Sequence, residues 1–419
     1  MNTIVRPGAA AGPTEDVETL VVGGGQAGLV MSDMLSRRGS PHLVLERGRI
    51  AERWRSERWD GLRFQFPNWS VRLPDCPFPH ADPDGFATSG EIVDYLEAYA
   101  AQINAPMRCG VVVTALYRNG NGKGYLAQTS AGSIRAMNVV IATGPYQRPV
   151  LPDLFADCGL FQVHASAYKE PEQLPAGTVL IVGSGASGAQ IAEELVRAGR
   201  RVYLSVGRHK RMPRRYRGRD LIWWLAAMGL YQTPVEARGP DATLPLITGA
   251  YGGHTIDFRE FVSQGMTLLG RLQSVREGVL HFANDLAESL AYGDAAYCAF
   301  LDSVDNYIEQ QGMKLPAEPA ARAKHPDPLS VCAPLDRLDI RHFGLSSVIW
   351  ATGYTFDFGW IDLPVLDARG EPKHDHGIAP LPGIYFLGLP WLSKMNSSFL
   401  SGAGDDAARL ANCIRRPGE

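Results

Sequence analysis

Apolar and polar positions along the chain read twice as a strand feeding a helix feeding a strand. Residues 19–22 form a short strand-like run, followed by glycines, helical spacing to about Arg38, and a second strand-like run at 42–45. The same succession recurs between residues 178 and 205. Short strands alternating with helices predict β-α-β units and parallel sheets. Between the two units the pattern predicts an amphipathic helix over 90–100. It also predicts a hairpin of strands 111–118 and 124–129 around Asn119-Gly-Asn-Gly122. A buried strand over 138–144 ends in a glycine turn, and Pro145, Pro149 and Pro152 then mark a hinge between domains. Residues 220–340 carry no nucleotide pattern; they contain the densest apolar run, 221–231, and a long helix over 284–311. A further strand and glycine turn follow at 346–354, a last strand at 384–387 and a closing helix at 403–414.

Both units open on the spacing G-x-G-x-x-G: Gly23, Gly25 and Gly28 in the first, Gly183, Gly185 and Gly188 in the second. One glycine turns the chain, one lets the backbone approach a pyrophosphate, and one lets helix and strand pack closely. The helix N-terminus then offers its free N–H groups to the phosphates. Two such cradles imply two dinucleotides, and a chain that moves electrons between them. Glu46 lies 23 residues past Gly23, at a strand end. A carboxylate that binds the ribose hydroxyls belongs there; a surface acid is the alternative. The second unit ends instead in Leu204-Ser205-Val206-Gly207-Arg208. The Ser205 hydroxyl and Arg208 guanidinium, with Lys210 and Arg211 beyond, suit the 2′-phosphate of NADPH. A solvated basic loop is the other reading.

The chain of 419 residues has room for two domains, and 45% hydrophobic with 20% charged content describes an ordinary globule. A formal charge of −3 gives no argument for nucleic acid or anionic membrane as partner. No apolar run reaches spanning length, and residues 1–17 are expected to be a flexible leader. None of the six cysteines forms C-x-x-C, which argues against a disulfide reductase and fits a reducing cytoplasm. Metal-ligand spacing is lacking, so no metal is expected.

Taken together these residues resemble the class B flavoprotein monooxygenases. That flavin-containing monooxygenase-like family includes plant auxin-forming enzymes and bacterial flavoproteins labelled as involved in potassium transport. The likeness runs through GGGQAG (23–28), Glu46-Arg47 and the block W-x4-W-D-G-L-R (54–63). It continues through the ATG turn at 142–144, GSGASG (183–188), WATGY (350–354), IYFLG (384–388) and SSFLSGAGDDAARLA (397–411).

The resemblance implies an α/β fold of two Rossmann-like dinucleotide-binding domains, FAD on the first and NADPH on the second. The FAD domain is then split, 18–150 and 345–419. It flanks an NADPH domain over 151–344 with a helical insertion at about 220–340. Gly23, Gly25, Gln26, Ala27, Gly28, Glu46, Arg47, Trp54, Trp59, Asp60 and Gly388 are the implied flavin residues. Gly183, Gly185, Ala186, Ser187, Gly188, Ser205 and Arg208 are the implied nicotinamide-nucleotide residues. Thr143 and Thr352, in the two ATG turns, fall near the cofactors or serve the turns alone. The family motif F-x-G-x3-H-x3-Y/W is half present: His164-x3-Tyr168-Lys-Glu-Pro171 matches, while Cys158 and Leu160 stand where Phe and Gly are expected.

Asn68, His164 and Tyr168 are the candidate catalytic residues. Asn68 matches an asparagine near the oxygen adduct in some relatives, or is a turn residue after Pro67. His164 belongs to a linker coupling domain positions to catalysis, or is a satisfied structural histidine. Trp223, Trp224, Tyr231, Tyr251 and His254 are candidate substrate-lining residues, with ordinary core as the alternative.

The implied reaction consumes NADPH and O2. Reduced flavin forms a C4a-(hydro)peroxyflavin, and one oxygen atom passes to a nitrogen, sulfur or carbonyl of a small organic substrate while the protein excludes water. A homodimer contact within 220–340 stays open. So do two other functions: an NAD(P)H:acceptor flavin dehydrogenase without oxygen transfer, and a non-catalytic flavin-binding redox module.

Overall fold

The computed structural model describes residues 14–120, 122–155, 158–241, 243 and 245–414. Strand Thr14–Val22 lies at the heart of a seven-stranded sheet, parallel to His42–Glu46 on one side and Gly132–Ile141 on the other. Met107–Cys109 extends the His42 side. The strand Gly132–Ile141 is long enough to serve two partners. Its first half pairs antiparallel with Tyr125–Thr129, which Val113–Arg118 continues; its second half pairs parallel with Ile384–Phe386 from near the C-terminus. Leu20, Val21, Val139, Val140 and Ile384 are all fully buried. Parallel strands covered on both faces read as such continuous apolar runs. The C-terminal helix Ala403–Cys413 packs against Gln26–Arg37 over this sheet.

Five parallel strands form the second sheet, in the order Phe161–His164, Leu345–Trp350, Thr178–Val182, Val202–Ser205, Thr267–Leu269. Two sheets with parallel cores, each opened by a glycine turn and helix, make the α/β fold with two dinucleotide-binding units expected from the sequence; the first also carries the antiparallel pair Tyr125–Thr129 and Val113–Arg118. Among the described residues, no helix is long and apolar enough to cross a membrane.

Three boundaries differ from expectation. Residues 14–17 are strand, not leader: Thr14–Val17 pair with Ser133–Ala136. Their polar side chains hid this, because Glu15 and Asp16 are held at the surface by Arg108 and Arg135; residues 1–13 lie outside the described set. Next, Leu345–Trp350 inserts between Phe161–His164 and Thr178–Val182 of the second sheet, so the return to the first sheet starts later than 345. Strand order is decided by distant partners that no local pattern declares. The return runs through Tyr354–Thr355, paired antiparallel with Arg148–Pro149, so both crossings between the sheets are strapped together. Finally, the 220–340 insertion is not purely helical. Beside the long helix Leu286–Gln310 it supplies Thr267–Leu269 and an antiparallel sheet of Leu272–Arg276, Val279–Phe282 and Arg337–Asp339. These runs are too short for periodicity to declare them.

Arg214 anchors the insertion to the tryptophan-rich segment over residues 54–78. Its side chain is only 2% exposed and donates from Nε to Asp220 at 2.9 Å. Nη1 donates to the Gln65 carbonyl at 2.7 Å, and the guanidinium lies over the Phe86 ring.

Candidate functional site

The two glycine turns are built alike. Gly23 and Gly183 have φ of +116° and +107°, a region L-residues avoid. A Cβ on either would stand 2.5 Å from a carbonyl oxygen of the adjoining strand end, that of Ala142 or Ala351. A Cβ on Gly28 or Gly188 would collide with the Gly23 or Gly183 carbonyl, so these glycines let the helix close onto its strand. Gly25 and Gly185 differ: nothing stands within 4 Å of a Cβ on either. Each is the N-cap of its helix, Gln26–Arg37 or Ala186–Arg197, with no side-chain cap. The first-turn N–H groups are therefore free to bind a phosphate approaching from the open side.

A cavity of about 380 Å³ starts at the first turn. Gly23, Gly25, Gln26, Ala27, Glu46, Arg47, Trp54, Thr143 and Gly388 border it. Glu46 accepts the Gly24 N–H at 2.7 Å on one oxygen and the Gly48 N–H at 2.8 Å on the other. Each oxygen keeps a second lone pair, so the carboxylate can still take a ribose hydroxyl. The C-terminal segment closes the cavity. Gly388 abuts Ala27 so tightly that a Cβ would lie 2.6 Å from the Ala27 methyl, and Gln26 Nε2 donates to the Ser398 carbonyl at 3.0 Å.

A second cavity, about 500 Å³, starts at Gly185, Ala186, Ser187 and Arg208 and passes Trp59 and His164. Phe64, Phe66, Ile222, Leu225, Ile247 and Phe399 give it an apolar wall. The aromatic rings form a chain: Trp54 to Phe64 at 5.5 Å, Phe64 to Phe66 and Phe66 to Phe399 each at 5.2 Å. Gln26, Trp54, Arg58, Tyr146 and Ser398 border both cavities and form the seam between them.

Several expected residues stand elsewhere. Asn68 reaches neither cavity; its Nδ2 donates to the Asp82 carbonyl at 2.9 Å, as a loop-holding residue does. Tyr168 is fully buried and donates to Glu194 at 2.7 Å, away from both cavities. Asp60 is exposed and borders neither, and Thr352 donates to the Val150 carbonyl, supporting its turn. Ser205 is turned away: its hydroxyl donates to the Gly270 carbonyl at 3.0 Å and accepts the Leu272 N–H at 3.1 Å. Arg211 is consumed by Asp257 and Asp294. Arg208 alone of the expected anion-binding pair faces the cavity, exposed and 4.1 Å from the Tyr292 ring. Of the candidate lining residues, Trp224 is core, Tyr251 covers Arg197, and His254 bonds Glu193. Ile222 and Leu225, one helical turn apart on Leu221–Ala227, line the second cavity instead.

His164 lies at the junction of the sheets. Its Nδ1 accepts the Ser166 N–H at 3.1 Å, and Nε2 donates to the Gly353 carbonyl at 3.1 Å, beside the inter-sheet strap. Lys169 clamps the same segment to the tryptophan block, donating from Nζ to the carbonyls of Ser56 at 2.6 Å and Arg58 at 2.8 Å. Burial pushes the His164 imidazole below its ordinary pKa. An unfolded ring binds protons more readily, so stability attributable to this residue is full above about pH 6.5 and declines below it. Thermal melts at pH 7.5 and pH 5.5 should differ less in H164Q than in the wild type.

Arg58, Tyr146, Ser398 and the three phenylalanines went unnoticed as site residues. They lie in or just beyond the motif blocks, and no spacing rule marks which residues there would face a shared seam.

A sequence profile of pyridine nucleotide-disulphide oxidoreductases matches residues 20–228. The chain is 32% identical over 403 residues to an uncharacterized CzcO-like oxidoreductase of Geobacillus kaustophilus, covering 95% of this chain and 98% of that one. It is 34% identical over 187 residues to the indole-3-pyruvate monooxygenase YUCCA1 of Oryza sativa, 43% of this chain and 45% of the relative. A flavin-containing monooxygenase from Stenotrophomonas maltophilia shares the fold at a TM-score of 0.66 and 17% identity, covering 96% of this chain and 98% of that one.

Proposed function

Because the chain belongs to the CzcO-like family of flavin-dependent oxidoreductases, we propose that it is an NADPH- and O2-dependent monooxygenase. FAD would occupy the first cavity and NADPH the second. The observation that carries this reading is the seam: two cavities, each opened by its own glycine turn, adjoin along five shared residues. Two dinucleotides lying in them would bring their redox rings together there.

Bound FAD supplies the two-electron and oxygen chemistry that side chains lack. The helix N-termini at Gly25 and Gly185 hold the pyrophosphates. Glu46 takes the flavin-side ribose. Arg208, its plane supported by Tyr292, is the group for the 2′-phosphate. Gly388, Gln26 and Ser398 cover the first ring site from the C-terminal side. The apolar wall of the second cavity keeps water from the seam and leaves a site for a small organic substrate. His164 and Lys169 act on the geometry of the seam from outside it, through the Gly353 and Arg58 carbonyls.

Stopped-flow mixing of anaerobically reduced, FAD-loaded protein with O2 tests the reading. In the anaerobic reduction that precedes it, NADPH should act faster than NADH. A transient absorbance distinct from the oxidised and reduced spectra should follow, longer-lived with NADP+ present. Direct return to the oxidised spectrum with stoichiometric peroxide would remove oxygen transfer and leave an acceptor-linked dehydrogenase.

A further inference from the structure

We propose that Arg58 is the residue that draws electrons onto the flavin, its guanidinium raising the reduction potential of the ring at the seam. The inference rests on the two-cofactor reading above. Five residues border both cavities, and Gln26, Trp54, Tyr146 and Ser398 are neutral. Arg58 is the one charge among them.

Three features hold that charge in place and leave it unneutralised. The guanidinium lies 5.1 Å from the Trp54 ring centroid and 5.7 Å from that of Tyr146. Aromatic faces attract a cation through the ring quadrupole without cancelling its charge, as a carboxylate would. The carboxylate of the adjacent acid, Glu57, pairs with Arg53 at 2.5 Å and more distantly with Arg47 at 3.9 Å, while Arg58 Nη1 donates to the neutral Glu57 backbone carbonyl at 2.8 Å. Among the described residues no carboxylate stands within 4.0 Å of the Arg58 guanidinium nitrogens. The backbone under it is fixed as well, since Lys169 donates to the Arg58 carbonyl at 2.8 Å and Asp60 N–H donates to the Lys169 carbonyl at 2.9 Å.

The charge balance of the redox step states what Arg58 does. A hydride, one proton with two electrons, leaves the reduced nicotinamide, which becomes a cation. The flavin that receives it gains one negative charge. A fixed cation beside the acceptor lowers the energy of that product, and does so most where water is excluded. The bidentate, always-charged guanidinium suits the task because it keeps its proton when partly buried and stacks on aromatic faces.

The test compares wild type, R58K, R58Q and R58M as full-length, FAD-loaded proteins. Reduction potentials are read by anaerobic equilibration with reference dyes, and NADPH dissociation constants by titration. R58M and R58Q should shift the oxidised-to-reduced equilibrium about tenfold toward oxidised flavin, about 30 mV for a two-electron couple. R58K should recover most of the shift, and NADPH affinity should change far less than the potential. Having two neutral variants keeps the comparison available if one retains flavin poorly. Unchanged potentials in R58M and R58Q, with flavin bound, overturn the inference and leave the two-cofactor reading intact. A loss of NADPH affinity without a change in potential also overturns it, assigning Arg58 to the grip on the nicotinamide nucleotide. Wild-type protein that takes up no flavin overturns the underlying reading, and this inference with it.

Discussion

Gly25→Ala gives a folded protein that keeps much less flavin than the wild type, and Gly185→Ala gives a yellow protein that NADPH no longer reduces efficiently. Both expectations follow from what surrounds each residue. Gly25 has φ −85° and ψ −173°, and Gly185 has φ −68° and ψ −179°, extended conformations open to any residue. With no neighbour within 4 Å of either added methyl, the fold loses nothing. Surface substitutions without such conflicts stay within about 0.5 kcal/mol, so melting temperatures should barely move.

The methyl instead enters the space through which a pyrophosphate would reach the helix N-terminus. Overpacking a close contact costs about 1–3 kcal/mol, which is about five- to 150-fold in a dissociation constant. The flavin absorbance of purified G25A, and the rate of anaerobic reduction of G185A by NADPH, read out the two losses separately. Gly28→Ala is the contrast, because its methyl meets the Gly23 carbonyl and should disturb folding itself. A G25A protein that keeps its full flavin content would remove the first turn from the site.

Arg214→Met should cost the protein about 3–5 kcal/mol of stability, the range for breaking a buried ion pair from one side. The substitution leaves Asp220 charged at 7% side-chain exposure. It also strips the Gln65 and Thr248 carbonyls of a shared donor. Asp220 keeps one favourable contact, since it still caps the helix Leu221–Ala227 through the Ile222 N–H. Denaturant unfolding of the flavin-loaded protein measures the loss. The double variant R214M/D220N should lose less than the sum of the single variants, because each single removal leaves the other charge unpaired. A loss under about 1 kcal/mol in R214M would mean that the insertion is held to the tryptophan-rich segment by its apolar contacts alone.

The proposed site rests on two kinds of structure. Glycine turns, Glu46 and the sheet edges form a cradle that barely needs side chains. The seam, by contrast, depends on contacts between segments far apart in the chain: Trp54 and Arg58, Tyr146, His164, and the 395–401 loop. Both chain crossings between the sheets pass beside it, through Arg148–Pro149 and Tyr354–Thr355. Small shifts of one sheet against the other would therefore be felt first at the seam.

The glycine turns were legible from residue order because their chemistry is local. A backbone at positive φ, and a helix closing on its own strand, exclude every side chain whatever the rest of the fold does. The strands beside those turns were legible for the same reason, since apolar runs of four or five residues announce burial on both faces. Nothing local says that Leu345–Trp350 completes the second sheet, that Ser205 turns toward Gly270, or that Asn68 faces the 82–85 loop. Which face of a residue meets a partner depends on what other segments of the chain bring against it. Packing of the assembled chain alone brought a single cation, Arg58, between two aromatic rings where the cavities adjoin.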